Sequence, residues 1–184
     1  MMFGRNPGAQ ETAKRIPQGS TGVEIGVWRG ESSALFLQRA GYLHLVDPWS
    51  VGPYKGGDYQ DYLNRYAKIV GSSDPAQFQQ YYDKVYQEVG QRFKGQAVTI
   101  HRCTSADFFA TFQQKVDWVY IDGLHTFKGA LADLRGSLNI VNTGGSIFGD
   151  DYGNKPGVTH AVDQFERFTG LTVDHFGNQY QIRL

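Results

Sequence analysis

The chain has 184 residues, with 18 Lys plus Arg balancing 18 Asp plus Glu, and a single cysteine, Cys103. That length supports one domain (1–184) with a continuous core. Zero net charge offers no field to draw nucleic acid or an anionic membrane, and one cysteine excludes an intramolecular disulfide. No signal-type apolar region opens the sequence and no run approaches about eighteen apolar residues, so it reads as soluble and cytoplasmic.

Taken in chain order, residues 22–26 predict a strand, a turn through Gly30 follows, and residues 32–40 predict a helix. Residues 42–47 form the second strand, stopped by Pro48. Residues 51–96 then break the rhythm. A flexible VGPYKGGD stretch leads into two amphipathic helices, the first carrying Tyr59, Tyr62, Leu63, Tyr66 and Ile69. The second starts at Asp74, with Pro75 at the first helical position, and carries Phe78, Tyr82, Val85 and Val89. These aromatics suit a core, and the segment also suits a lid, because it follows the ligand-facing end of the second strand. Residues 97–102, 116–122 and 146–150 give three more strands, and between the last two a helix spaces Phe127, Leu131, Leu134 and Leu138 by four, three and four. A helix over 159–169 precedes short strands at 171–175 and 180–184, turned at Gly177 and Asn178. The alternation predicts a parallel α/β sheet with covering helices.

Two apolar runs end abruptly in acid. DWVYIDGLH, residues 117–125, closes on Asp122, and GGSIFGDDY, residues 144–152, closes on Asp150 and Asp151. Ligands collect at the carboxyl ends of such strands, and neighbouring strands stand about 4.8 Å apart, so three carboxylates are expected to converge. Like charges that close raise each other's pKa unless something positive lies between them. Three oxygen donors suit Mg²⁺, and the lack of clustered Cys and His argues against zinc. His125 follows as a candidate general base, the alternative being a helix-entry residue bound to backbone. The other histidines, His44, His101, His160 and His175, read as structural or surface residues.

In the first turn, GVEIGVWRG, Gly26 and Gly30 flank the entry to the helix. A dinucleotide fingerprint needs a further glycine where this chain has Trp28, and Glu24 would repel a pyrophosphate while holding an ammonium. Asp47, about twenty residues on, stands where an acid grips ribose hydroxyls. The loop therefore suits an adenosine ligand without phosphates.

The series E-I-G-V-W-R-G-E-S, L-V-D-P-W, Y-I-D-G-L-H and G-G-S-I-F-G-D-D-Y, over residues 20–152, resembles class I S-adenosylmethionine-dependent methyltransferases. More narrowly it is similar to the macrocin-type sugar O-methyltransferases and the cephalosporin-hydroxylase-like proteins. The resemblance implies a Rossmann-like sheet, mostly parallel with an antiparallel last strand, and helices on both faces. It further implies that Glu24, Gly26 and Gly30 surround the methionine portion of S-adenosylmethionine and that Asp47 binds the ribose. Trp49 or its neighbours, and the stretch Thr104, Ser105, Ala106 and Asp107, would border the adenine. Asp122 would lie at the cofactor and also hold Mg²⁺ with Asp150 and Asp151, while His125 serves as base. Catechol O-methyltransferases place a similar acidic trio at these strand ends.

The expected activity is methyl transfer to a hydroxyl of a small molecule, a sugar or catechol-like vicinal diol. A non-catalytic S-adenosylmethionine-binding module and a metal-independent methyltransferase are the alternatives. No nucleic-acid or membrane partner is expected, and homo-oligomerisation is left open. Enzymes that methylate base amines end the fourth strand in Asn/Asp-Pro-Pro-aromatic, where this chain has Asp122, Gly123, Leu124 and His125.

Overall fold

Short runs of β-branched and aromatic residues separated by helices leave each strand needing cover on both faces, and the chain meets that need with a three-layer arrangement. The computed structural model describes residues 7–54 and 59–184. Strand β1 (Thr21–Ile25) lies between β2 (Tyr42–Val46) and β4 (Val116–Ile121). Outside these run β3 (Val98–His101) and β5 (Val141–Gly149), all five parallel. The last strand, β7 (Gln179–Arg183), is antiparallel to β5, and β6 (Val173–Phe176) pairs beyond it. The order is β3-β2-β1-β4-β5-β7-β6, a Rossmann-like sheet, mostly parallel with an antiparallel last strand.

The pleat divides the core into two. Val23, Ile25, Val119, Ile121 and Ile147 face helices α5 (Ser105–Thr111), α6 (Phe127–Ile140) and α7 (Pro156–Thr169). Leu43, Leu45, Trp118, Tyr120 and Phe148 point the other way, onto α1 (Pro7–Arg15), α2 (Glu31–Phe36) and α4 (Pro75–Arg92). Alternate strand residues therefore serve opposite layers, as a period of two requires.

Between β2 and β3, helix α3 (Tyr59–Val70) packs on α4, and Val51, Leu63 and Phe78 make a small core of their own. Asp74 caps α4 by accepting from the Ala76 amide at 2.8 Å, with Pro75 at the first helical position. Lys55 to Asp58, part of the stretch read as flexible, fall outside the described residues, as do the side chains of Tyr59 and Tyr62. Among the described residues no helix is long and apolar enough to cross a membrane.

Helices α1 and α5 were not expected from the sequence. The first buries little beyond Ala9, Thr12 and Ala13, and the second has seven residues, so neither writes a long apolar period. Strand β5 begins at Val141, five residues before the expected 146, and its pairing with β4 shifts register between Val116 and Trp118.

Candidate active site

Each central ladder runs one residue past its strand. The Gly26 amide donates to Val46 O (2.9 Å), that of Asp122 to Ile25 O (2.8 Å) and that of Asp150 to Ile121 O (3.0 Å). Gly26, Asp122 and Asp150 consequently share one edge of the sheet. At Gly26 the backbone is left-handed (φ 87) and a Cβ would stand 1.9 Å from the Asp122 carbonyl oxygen, so the β1 and β4 loops approach as glycine alone permits.

On the β1–β2 side the acids turn inward. Asp47 Oδ2 accepts from the amides of Val27 (3.0 Å) and Trp28 (2.9 Å), and Oδ1 from that of Trp49 (2.7 Å). Both tryptophans hold positive φ, 47 and 40, in a region that bulky residues rarely adopt. Trp49 Nε1 also donates to Trp28 O at 2.8 Å, so one carboxylate and one indole pin two strained loops together. Burial raises the Asp47 pKa against the pull of those three amides. Glu24 is fully buried and accepts from the hydroxyls of Ser32 and Ser33 at the start of α2. Burial lifts it from 4.5 to about 8, so the carboxyl is mostly protonated at neutral pH.

Several residues expected at the cofactor stand elsewhere. Glu24 faces α2 and does not line the cavity described below, so it is not placed to hold an ammonium there. Trp49 is buried against Tyr86 and offers no face to an adenine. Gly30 caps α2 against the Phe93 ring, and Ala106 lies exposed in the first turn of α5. Gly26, Asp47, Thr104, Ser105 and Asp122 do line the cavity. Thr104 caps α5, its hydroxyl accepting from the Asp107 amide at 3.2 Å.

On the β4–β5 side the acids face outward. His125 Nε2 lies 2.9 Å from Asp151 Oδ2 and 3.4 Å from Asp122 Oδ1. Ligand atoms of Asp122, His125 and Asp151 all fall within 4.8 Å of one another. The expected convergence of Asp122, Asp150 and Asp151 takes a different form. The imidazole stands between two of the acids, while Asp150 Oδ1 is turned to the side-chain amides of Asn178 and Gln179 and to the Asp151 amide. Burial disfavours a charged His125, but hydrogen bonds to Asp122 and Asp151, and their charges, raise its pKa to about 9. Burial and the Asp122 charge lift Asp150 to about 6, whereas the hydrogen bond to His125 holds Asp151 below the usual carboxylate range.

The two sides enclose a cavity of about 490 Å³. Tyr66, Ile69 and Val70 of α3 and Phe78, Tyr81 and Tyr82 of α4 form its far wall, with Trp28 at 40% exposure beside them. Arg29 ties that wall to the β1 loop: its guanidinium donates to the Tyr81 hydroxyl at 2.9 Å and lies 4.8 Å from the Trp28 ring centre. Burial raises the Asp122 pKa, a shift that His125 and the charge of Lys155, which also lines the cavity, only partly offset. Tyr152, which follows the acid pair, instead donates to Asp163 at 3.0 Å and stacks on His175. Asn178 and Gln179 carry no sequence signal that links them to Asp150.

A methyltransferase domain family matches residues 23–152, from β1 through the β5 acids. The chain belongs to that family. No curated protein sequence matches it. Among solved structures, this methyltransferase is similar to the SAH-bound Podospora anserina methyltransferase PaMTH1 (TM-score 0.65, 13% identity, covering 99% of this chain and 79% of that one). It is similar also to the O-methyltransferase NovP (TM-score 0.62, 18% identity, 95% and 77% covered). An rRNA methylase from Streptococcus thermophilus is alike in fold at 10% identity (TM-score 0.61, 100% and 98% covered). The family and fold make the protein a class I, S-adenosylmethionine-dependent methyltransferase. The residues fit that cofactor: the β1 loop, Asp47, and Thr104 with Ser105 bound one continuous cavity at the carboxyl edge of the sheet.

Proposed function

We propose that this methyltransferase acts on a hydroxyl of a small molecule carrying a vicinal diol, a sugar or a catechol-like ring, with a divalent cation such as Mg²⁺ assisting. The observation that carries the reading is the outward-facing cluster of Asp122, His125 and Asp151, on the same cavity as the cofactor loop. S-adenosylmethionine supplies an electrophilic methyl on sulfur; its transfer to the acceptor oxygen releases S-adenosylhomocysteine and one proton. The protein's part is to align the oxygen and to receive that proton.

His125 Nε2 is the group placed to receive it, held by Asp151 and Asp122. With a pKa of about 9 the imidazole is charged at neutral pH and acts as a base as pH rises toward that value. The carboxylates fit a divalent cation, since oxygens of Asp122 and Asp151 lie within 4.8 Å of each other and of His125, whose nitrogen is kept for the proton. Such a cation, held by Asp122 and Asp151 with Asp150 beside them, would lend Lewis acidity to the acceptor hydroxyl and the positive charge that the imidazolium otherwise provides. The aromatic wall of α3 and α4 would cover the acceptor as a lid, its tyrosines stacking on either ring type.

The test is methyl transfer from labelled S-adenosylmethionine to a panel of glycosides and catechols, across pH, in EDTA and in Mg²⁺. The proposal expects transfer restricted to vicinal diols and a rate limb near pH 9 in EDTA that moves to lower pH with Mg²⁺. Equal rates and an identical limb under both conditions would remove the metal. Transfer to RNA instead of the diols would remove the acceptor class.

A further inference from the structure

Gln179 opens β7 with its side chain fully buried, 29 residues from the acid that it touches. Its Oε1 accepts from the Thr12 hydroxyl of α1 (3.0 Å) and from the Tyr120 hydroxyl of β4 (3.1 Å). Its Nε2 donates to Asp150 Oδ1 at 2.5 Å. Two hydroxyls on one end and a carboxylate on the other fix which way the amide points. Burial keeps the Tyr120 hydroxyl protonated, so it stays a donor. Helix α1 rests directly on this amide, since a Cβ at Gly8 would stand 2.6 Å from Gln179 Nε2.

The oxygen that Gln179 holds carries the next link. Asp150 Oδ1 also accepts from the Asn178 side chain and, at 2.6 Å, from the Asp151 amide. Asp151 is left-handed (φ 66), a conformation that a non-glycine residue keeps only when its surroundings impose it. In that turn Asp151 Oδ2 stands 2.9 Å from His125 Nε2.

We infer that Gln179 is a positioning residue for the β5 acids, and that α1, through Thr12 and the close approach at Gly8, is the part of the fold that holds it in place. Rotation of the amide releases Asp150, and with Asp150 goes the hydrogen bond that keeps Asp151 turned toward His125. The consequence for turnover rests on the proposed role of Asp151 and His125; the positional claim does not.

The experiment measures hydrogen exchange of single backbone amides by NMR in the full chain saturated with S-adenosylhomocysteine. It compares the wild type with Gln179→Met, which keeps the length but neither donates nor accepts, and Thr12→Val, which removes one hydroxyl. Loss of one buried hydrogen bond is expected to speed exchange at the Asp151 amide about five- to ten-fold in Gln179→Met, and less in Thr12→Val. The Asp122 amide, bonded to Ile25 O in the sheet, should keep its wild-type rate. Unchanged exchange at Asp151, or a rise shared equally by Asp122, overturns the inference. Should Gln179→Met fail to fold, Thr12→Val decides by the same comparison. A parallel Mg²⁺ titration separates the two proposals: a wild type that binds no cation defeats the metal reading and leaves the exchange result to stand alone.

Discussion

The two sides of the carboxyl edge use the same residue type for opposite ends. Glu24 and Asp47, on the β1–β2 side, direct their oxygens at protein hydroxyls and amides. Asp122 and Asp151, on the β4–β5 side, direct theirs at His125 in the cavity. A carboxylate at a strand end is therefore not chemical by position. What decides is whether the neighbouring loop offers it donors. The loops after β1 and β2 present amides from Val27 and from two left-handed tryptophans, whereas the β4 loop presents a titratable ring.

That contrast is most exposed at His125. Replacing it with alanine should lower turnover by about 10²- to 10⁴-fold and leave S-adenosylhomocysteine affinity in place, read by steady-state rates and calorimetry. A matching loss of cofactor affinity would erase the distinction between the sides.

Asp47→Ala tests the other side. Three amides lose a charged acceptor, each such bond being worth about 1.5–3 kcal/mol, so cofactor affinity and melting temperature should both fall markedly. Asp47→Asn, which keeps an acceptor oxygen, should recover part of each. A variant that melts and binds like the wild type would show that the tryptophan loops hold themselves.

Glu24→Gln probes the buried layer behind that side through pH. The folded carboxyl, near 8, binds its proton more tightly than the unfolded one near 4.5. Its contribution to stability is therefore fully present below about 4.5, declines as pH rises to about 8, and stays low above that. The glutamine variant lacks this decline, so its melting temperature should gain on the wild type steadily across that window. A constant difference between the two would refute the buried proton.

The smallest effect is expected from Trp49→Phe. It removes the indole bond to Trp28 O, about 1 kcal/mol, and trims a fully buried ring, which adds about 1–2 kcal/mol in denaturant unfolding. A large effect would mean that the indole, more than Asp47, carries the loop.

How far the sequence disclosed this arrangement follows from the same contrast. The strands and their edge were legible because apolar runs end in acids, and that pattern depends on neighbours in sequence. The direction each acid faces depends on neighbours in space. Nothing near Glu24 announces that Ser32 and Ser33 will bond it, nor does LVDPW show that Trp49 will bury itself beneath Trp28. The acid pair in sequence makes Asp150 a ligand beside Asp151, yet donors from the distant β7 end claim one of its oxygens. Helix α1 stayed hidden because it docks mainly through small residues, Ala9, Thr12 and Ala13.

The strained turn at Trp28 also gives this protein an optical handle. Of its three tryptophans, Trp49 and Trp118 are wholly enclosed, and Trp28 stands at the cavity mouth with 40% of its surface in water. A quencher dissolved in the solvent reaches that one indole, and a molecule filling the cavity meets it, because Trp28 lines that space. Emission from the unlabelled chain thus divides into a silent background of two buried rings and a signal from a single one, so occupancy of the site can be followed by light without altering a residue.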